Sequence, residues 1–153
     1  MQAVERGAVV DEGIAQWPTG RLLSMAARLV EHSWEAVLRE YDISSAGLVV
    51  LHVVAERPAS QREIARVARV TDQTASRTVE RLERSGYVAR EPDPADERRK
   101  VVTATDAGRT VYRELVERER TDPALIAALG DSEPVLRGLL LELIGSQRGA
   151  GER

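Results

Sequence analysis

The sequence predicts a mostly helical α+β fold: a winged helix-turn-helix domain flanked by N- and C-terminal dimerisation helices. Three observations predict it. Two closely spaced helical segments, each opened by a hydroxyl residue, end at Gly86 and lead straight into two short apolar runs around a Pro- and Asp-rich turn. Long amphipathic stretches lie on both sides of this block. Cations gather inside it. Residues 57–100 hold eleven Arg or Lys against eight Asp or Glu, a net +3, while the remainder holds eleven against seventeen, a net −6.

The elements follow in order. Residues 1–16 show no periodicity and are expected to form a flexible tail. Pro18 suits the first turn of a helix. From there Leu22, Met25, Ala26, Leu29, Trp34, Val37 and Leu38 keep a three-and-four rhythm to about Glu40. Ser44 or Ser45 caps a second helix that runs to about Glu56. Its LVVLHVVA run is apolar nearly all round, which predicts the buried centre of the domain. Arg57-Pro58 stops it. Ser60 caps a short third helix, with Glu63 placed as a capping-box partner and Ile64, Ala65 and Ala68 as its core face. Thr71 caps a fourth helix, which turns Val70, Ala75, Val79 and Leu82 inward and ends at Gly86.

Tyr87–Arg90 and Val101–Ala104 then read as antiparallel strands joined by a long turn from Pro92 to Arg99. Thr105 caps a fifth helix carrying Val111, Leu115 and Val116 inward. Asp122-Pro123 interrupts it, and Leu125, Ile126 and Leu129 form a short continuation. Ser132 caps a last helix with a broad stripe of Val135, Leu136, Leu139, Leu140, Leu143 and Ile144. The expected organisation is a tail over 1–16, a helical dimerisation region over 17–42 and 105–147, a winged helix-turn-helix region over 43–104, and a tail over 148–153.

Composition narrows the function. A net charge of −3 and a pI near 5.5 exclude a globally basic nucleic-acid binder but leave room for a local basic patch. There are no cysteines, so thiol redox chemistry, thiolate metal sites and cysteine nucleophiles are impossible. His32 and His52 are far apart and neither has a partner at ligand spacing, so no metal and no cofactor are expected. The longest apolar run, Leu48 to Ala55, is too short to span a bilayer. The first residues lack the pattern of a signal peptide. The expected location is the cytoplasm, without membrane contact. No nucleophile–base pair, phosphate-binding glycine loop or carboxylate pair with a cleft is found, so the chain is not expected to be an enzyme.

A helix that reads the major groove needs one apolar face to hold it and one polar face to meet base edges. In the fourth helix the polar face carries Asp72, Gln73, Ser76, Arg77, Glu80 and Arg81. Gln73, Ser76 and Arg77 are early enough to reach bases, since Arg pairs with guanine and Gln with adenine. Arg81 and Arg84 lie further along, at phosphate depth. Thr71, Gln73 and the first-turn amides can also meet a phosphate. Asp72 supports the helix N-terminus, and Glu80 is placed to orient Arg77 or Arg84. At the far end of the turn, Arg98 follows Asp96 and is a candidate for minor-groove insertion, with Arg99 and Lys100 adding phosphate contacts. Asp96 either extends the Arg98 side chain or shapes the turn.

These strings resemble a known family. VTDQTASRTVERLERSGYV, with Thr74, Arg77, Leu82, Glu83 and Gly86, is similar to the recognition helix of the MarR family (multiple antibiotic resistance regulators). DPADERRKVVTATDAG is similar to its wing signature, with Asp96 and Arg98 followed by Thr105 and Gly108. The resemblance spans about Ile43 to Gly108 and extends to the flanking helices. Ala104 stands where leucine is common, Asp106 where proline is frequent, and Asp122-Pro123 breaks the helix that joins wing to dimer interface in the family. The resemblance implies a homodimer whose two recognition helices enter successive major grooves of a pseudo-palindromic double-stranded DNA operator. It implies a repressor released by a small, often aromatic or phenolic, molecule bound between the dimer and DNA-binding regions.

An effector pocket is expected among the first, second and fifth helices, where Arg28, His32, Trp34, His52 and Tyr112 supply polar or aromatic groups. Each also has a plain packing role: His52 as a core histidine, Trp34 and Tyr112 as interface aromatics. Two other readings share the fold, a metal-responsive sensor and a winged-helix protein-interaction module without DNA binding. The missing cysteines weigh against the first, and the retained Arg77 and Arg98 against the second.

Overall fold

The computed structural model describes residues 12–150. Residues 1–11 of the expected tail over 1–16, and residues 151–153 of the expected tail over 148–153, lie outside the described residues. The chain divides into two compact units, residues 1–109 and 110–153.

The first unit opens with a single helical turn, α1 (Glu12–Ala15), and the long α2 (Thr19–Glu40). Pro18 precedes α2, and the Arg21 guanidinium lies over the Trp17 ring at 5.3 Å. A corner at Tyr41–Ser44 leads to α3 (Ser45–Glu56), whose N-terminus is capped by Ser44: its hydroxyl accepts from the Gly47 N–H at 3.0 Å. The two-residue strand β1 (Ala59–Ser60) follows, then α4 (Gln61–Ala68) and α5 (Asp72–Arg84). Strands β2 (Val88–Asp93) and β3 (Asp96–Ala104) complete a sheet of order β1-β3-β2. Its core joins the inward faces of α3, α4 and α5 with the sheet. Leu51, Ile64, Val79 and Leu82 are essentially inaccessible, and Val88 and Val102 close the sheet side.

The apolar run of α3 divides more sharply than its composition implies. Val50, Leu51 and Val54 are buried, whereas Val49 and His52 face outward. His52 is therefore not a core histidine in the single chain. The hairpin also differs from a pair of four-residue strands with a long turn. Its ladder runs on to Pro92 opposite Lys100 and closes at Asp93 opposite Asp96, leaving a two-residue turn at Pro94-Ala95. Pro92 is tolerated because β2 is an edge strand, where a missing N–H costs no ladder bond.

The break between α4 and α5 takes three residues. Arg69 adopts the left-handed conformation (φ 53°) and Val70 donates to the Ala65 carbonyl at 3.1 Å. Ser60 forms one half of the expected capping box, accepting from the Glu63 N–H at 3.2 Å. The Glu63 carboxylate instead pairs with Arg57, which holds it below the ordinary glutamate range. Thr105 caps α6 (Asp106–Arg120) by accepting from the Gly108 N–H at 3.0 Å. Its hydroxyl also donates to the Gly86 carbonyl at 2.7 Å.

The division between units falls within α6. In the second unit α6 ends at Arg120, and α7 (Pro123–Leu129) begins on Asp122, whose carboxylate accepts from the Ala124 N–H at 2.9 Å. Proline at the first helical position makes Asp122-Pro123 a helix start as much as a break. A 3-10 turn at Gly130–Ser132 leads into α8 (Glu133–Ala150). Leu115 is buried, but Val135, Leu136, Leu139, Leu141, Leu143 and Ile144 are exposed. No helix among the described residues is long and apolar enough to cross a membrane.

Candidate nucleic-acid interface

The first turn of α5 is organised by threonines. The Thr71 hydroxyl accepts from the Thr74 N–H at 3.1 Å and lies 2.9 Å from the Thr74 hydroxyl. The Gln61 side-chain amide donates to the Asp72 carbonyl at 3.4 Å, tying the start of α4 to that of α5. Ala75, Val79 and Leu82 are buried, so the helical period turns Gln73, Arg77 and Arg84 directly outward. Gln73 and Arg77 are exposed, and Arg77 pairs with no acid among the described residues. Ser76 is half-buried and donates to the Glu80 carboxylate at 3.1 Å. Glu80 thus engages Ser76, rather than Arg77 or Arg84 as its spacing allowed.

Arg81 is committed elsewhere. Its guanidinium forms an ion pair with Asp42, with Nε 3.2 Å from Oδ1, and the second Asp42 oxygen accepts from the Ser85 hydroxyl at 3.0 Å. Arg81, and then Ser85, hold the Asp42 carboxyl below its ordinary value of 3.8. Asp42 was not marked by the sequence. It lies 39 residues before Arg81, and its only local sign is a residue type that tolerates a left-handed backbone (φ 56°). Arg90 is likewise engaged, donating to Glu83 at 2.8 Å.

On the wing, the register shift between Pro92 and Asp93 leaves Glu97, Arg98 and Arg99 of β3 with no partner residues on β2. The Arg98 side chain therefore leaves the sheet on a bulge, which re-aims side chains in this way. Of the two roles open to Asp96, the structure shows turn shaping. Its carboxylate accepts from the Arg98 backbone N–H at 3.1 Å, and its other oxygen lies 3.5 Å from Arg99 Nε. The Arg98 guanidinium pairs with no acid among the described residues. Arg99 and Lys100 are exposed beside it. Arg62, Arg66 and Arg69, exposed on and after α4, add cations that motif spacing did not single out.

Of the candidate effector residues, Arg28, His32, Trp34 and His52 stand in the first unit and Tyr112 in the second. Arg28 and His32 are exposed on α2, with His32 Nδ1 3.4 Å from Glu35. Trp34 on α2 and Tyr112 on α6 are half-buried, and His52 is exposed on α3. A cleft of about 750 Å³ lies in the second unit, lined among others by Val116, Glu119, Leu125, Ile126, Pro134 and Arg137, and by none of the five. Partial burial pushes the Glu119 carboxyl above its ordinary value of 4.5. Among the described residues no group of three His, Asp or Glu side chains could hold a metal ion.

Comparison with known proteins agrees with this geometry. The sequence model of the MarR family matches residues 41–99, from the α2–α3 corner to the wing bulge. A crystal structure of MarR is 27% identical with a TM-score of 0.78, covering 90% of this chain and 97% of that one. The transcriptional regulator SlyA is 28% identical with a TM-score of 0.71, covering 86% of this chain and 93% of its own. BpsR of Bordetella bronchiseptica, solved for the regulation of its DNA binding by 6-hydroxynicotinic acid, is 25% identical with a TM-score of 0.68, covering 84% and 93%. No curated protein matches the chain by sequence.

Proposed function

We propose that the chain is a DNA-binding transcriptional regulator of the MarR family, whose sequence model matches residues 41–99, and that it acts as a homodimeric repressor of a pseudo-palindromic operator, released by a small aromatic ligand. The observation that carries the reading is the state of two arginines. On α5 and the wing, Arg81, Arg90 and Arg99 are engaged by Asp42, Glu83 and Asp96, whereas Arg77 and Arg98, like Arg84 and Lys100, are exposed and pair with no acid among the described residues. A guanidinium left free on a groove-sized helix, and another on a projecting bulge, fit base and minor-groove contact respectively.

Dimerisation is supported by apolar surface. In the first unit α2 exposes Leu22, Leu23, Leu29 and Val30; in the second, α8 exposes leucines along most of its length. A monomer does not ordinarily leave such stripes uncovered, and a second copy would bury them. The dimerisation region is accordingly assigned to 17–42 and 105–147, and the DNA-binding region to 43–104. Because a 25% identical relative responds to an aromatic acid, small aromatic acids are the first effectors to try.

The test is selection of duplexes from a random-sequence pool by the full chain, followed by binding across a salt series. The expected product is a two-fold symmetric site with half-sites about 10 base pairs apart, bound less tightly as salt rises. Failure to enrich any sequence would overturn the proposal. Sedimentation of the free protein checks the dimer.

A further inference from the structure

We infer that Asp42 is a positioning residue for DNA recognition: it clasps the C-terminal half of α5 to the α2–α3 corner through Arg81 and Ser85, and Arg81 belongs to this clasp rather than to the phosphate contacts. The inference rests on the DNA-binding reading above and deepens it.

The corner is built to hold a carboxylate still. The Tyr41 and Ile43 N–H groups donate to the Leu38 carbonyl at 3.1 and 3.0 Å, and the Asp42 N–H donates to Arg39 at 3.1 Å. Leu38 and Ile43 on either side are 3% and 2% exposed, so the backbone of Asp42 is pinned between two core anchors. Its left-handed conformation is one that Asp and Asn adopt more readily than other side chains.

The carboxylate is then fully used. One oxygen receives the Arg81 guanidinium and the other receives the Ser85 hydroxyl. Arg81 and Ser85 are four residues apart and share one flank of the helix. That flank is turned aside from the outward face of Gln73, Arg77 and Arg84. Two bonds spaced along one flank resist rotation of α5 about its axis, the motion that would swing Arg77 away from a base edge. The pair is solvent-exposed, at 47% and 61% of side-chain surface. Such pairs contribute little to folding, so the effect of the clasp is on geometry. It also ties the recognition helix directly to the end of α2, the helix with the uncovered apolar face.

A double-substitution cycle on the full chain tests this, using D42N, R81Q and the pair. Binding is read by fluorescence anisotropy on the duplex selected by the unsubstituted chain and on a scrambled duplex, across a salt series. Asn keeps the left-handed corner and removes the charge. Each single change is expected to weaken binding to the selected duplex about three- to fivefold, with the pair no weaker than either. Scrambled-duplex affinity and both salt slopes stay unchanged. S85A, which removes a hydrogen bond and no charge, shifts selected-duplex affinity in the same direction. The inference is overturned if R81Q reduces the magnitude of the salt slope by about 0.9 while D42N tightens binding, which would make Arg81 a phosphate ligand that Asp42 restrains. It is equally overturned if D42N changes nothing. A chain that enriches no duplex removes both readings; enrichment with additive effects removes the clasp alone.

Discussion

Gly108 lies directly against the Tyr87 carbonyl: a Cβ built on residue 108 would stand 2.0 Å from that oxygen. The same carbonyl accepts from the Thr105 N–H at 3.0 Å, while the Thr105 hydroxyl reaches the neighbouring Gly86 carbonyl. The start of α6 is thus pressed onto the joint between recognition helix and wing. Gly108→Ala must force backbone from backbone, which no rotamer change relieves. It is expected to lower stability by about 1–3 kcal/mol and to weaken DNA binding beyond what unfolding explains. Urea denaturation with an unchanged slope and a lowered midpoint checks the first part; an unchanged midpoint would show that the joint yields freely.

The signals that located this joint are local ones. Ser60, Thr71, Thr105 and Gly86 act within one turn of their own backbone, so their types and spacing gave away α4, α5 and α6. Asp122-Pro123 was legible for the same reason. The outward turn of His52 was not, because a helix apolar on all sides carries no phase to say which side is covered. The wing bulge was hidden because Pro92 reads as a loop residue until its strand is known to be an edge. Asp42 was hidden because its partners lie 39 and 43 residues away, where spacing holds no information. Of the candidate DNA contacts, Arg77 and Arg98 pair with no acid among the described residues, while Arg81 is drawn into a contact that only the fold creates.

Arg98 occupies the bulge of β3, and its side chain is held by nothing else described. Arg98→Ala is expected to weaken operator binding about tenfold or more, and to reduce the magnitude of the salt slope by about 0.9 per protomer if the lost contact is to phosphate-rich minor groove. Sedimentation of the free chain should be unchanged, since Arg98 lies outside the exposed apolar stripes of α2 and α8. Unchanged affinity at physiological salt would remove the wing from the interface.

Arg77 faces outward from the middle of α5, where a base edge is within reach. Arg77→Ala should cost about 1–3 kcal/mol on the selected duplex and relax preference at one position of each half-site. Random duplex should be bound nearly as well as before. Repeating the selection with the variant reads this directly. An equal loss on selected and random DNA would reassign Arg77 to the phosphates.

Glu119 lines the cleft of the second unit, and burial holds its carboxyl above the ordinary value of 4.5. The folded chain therefore binds this proton more tightly than the unfolded chain does. By linkage, stability falls as pH rises from the unfolded value through the folded one, and the penalty persists above it. This is opposite in sign to Asp42, whose depressed carboxyl favours the fold above its ordinary value of 3.8 and loses that effect as pH falls through the folded value. Glu119→Gln removes the Glu119 penalty while keeping the shape of the side chain. Its urea midpoint should equal that of the unsubstituted chain below the unfolded value and exceed it at pH 7, with the gap opening between. A gap of the same size at both pH values would assign the effect to packing in the cleft and not to the partly desolvated charge.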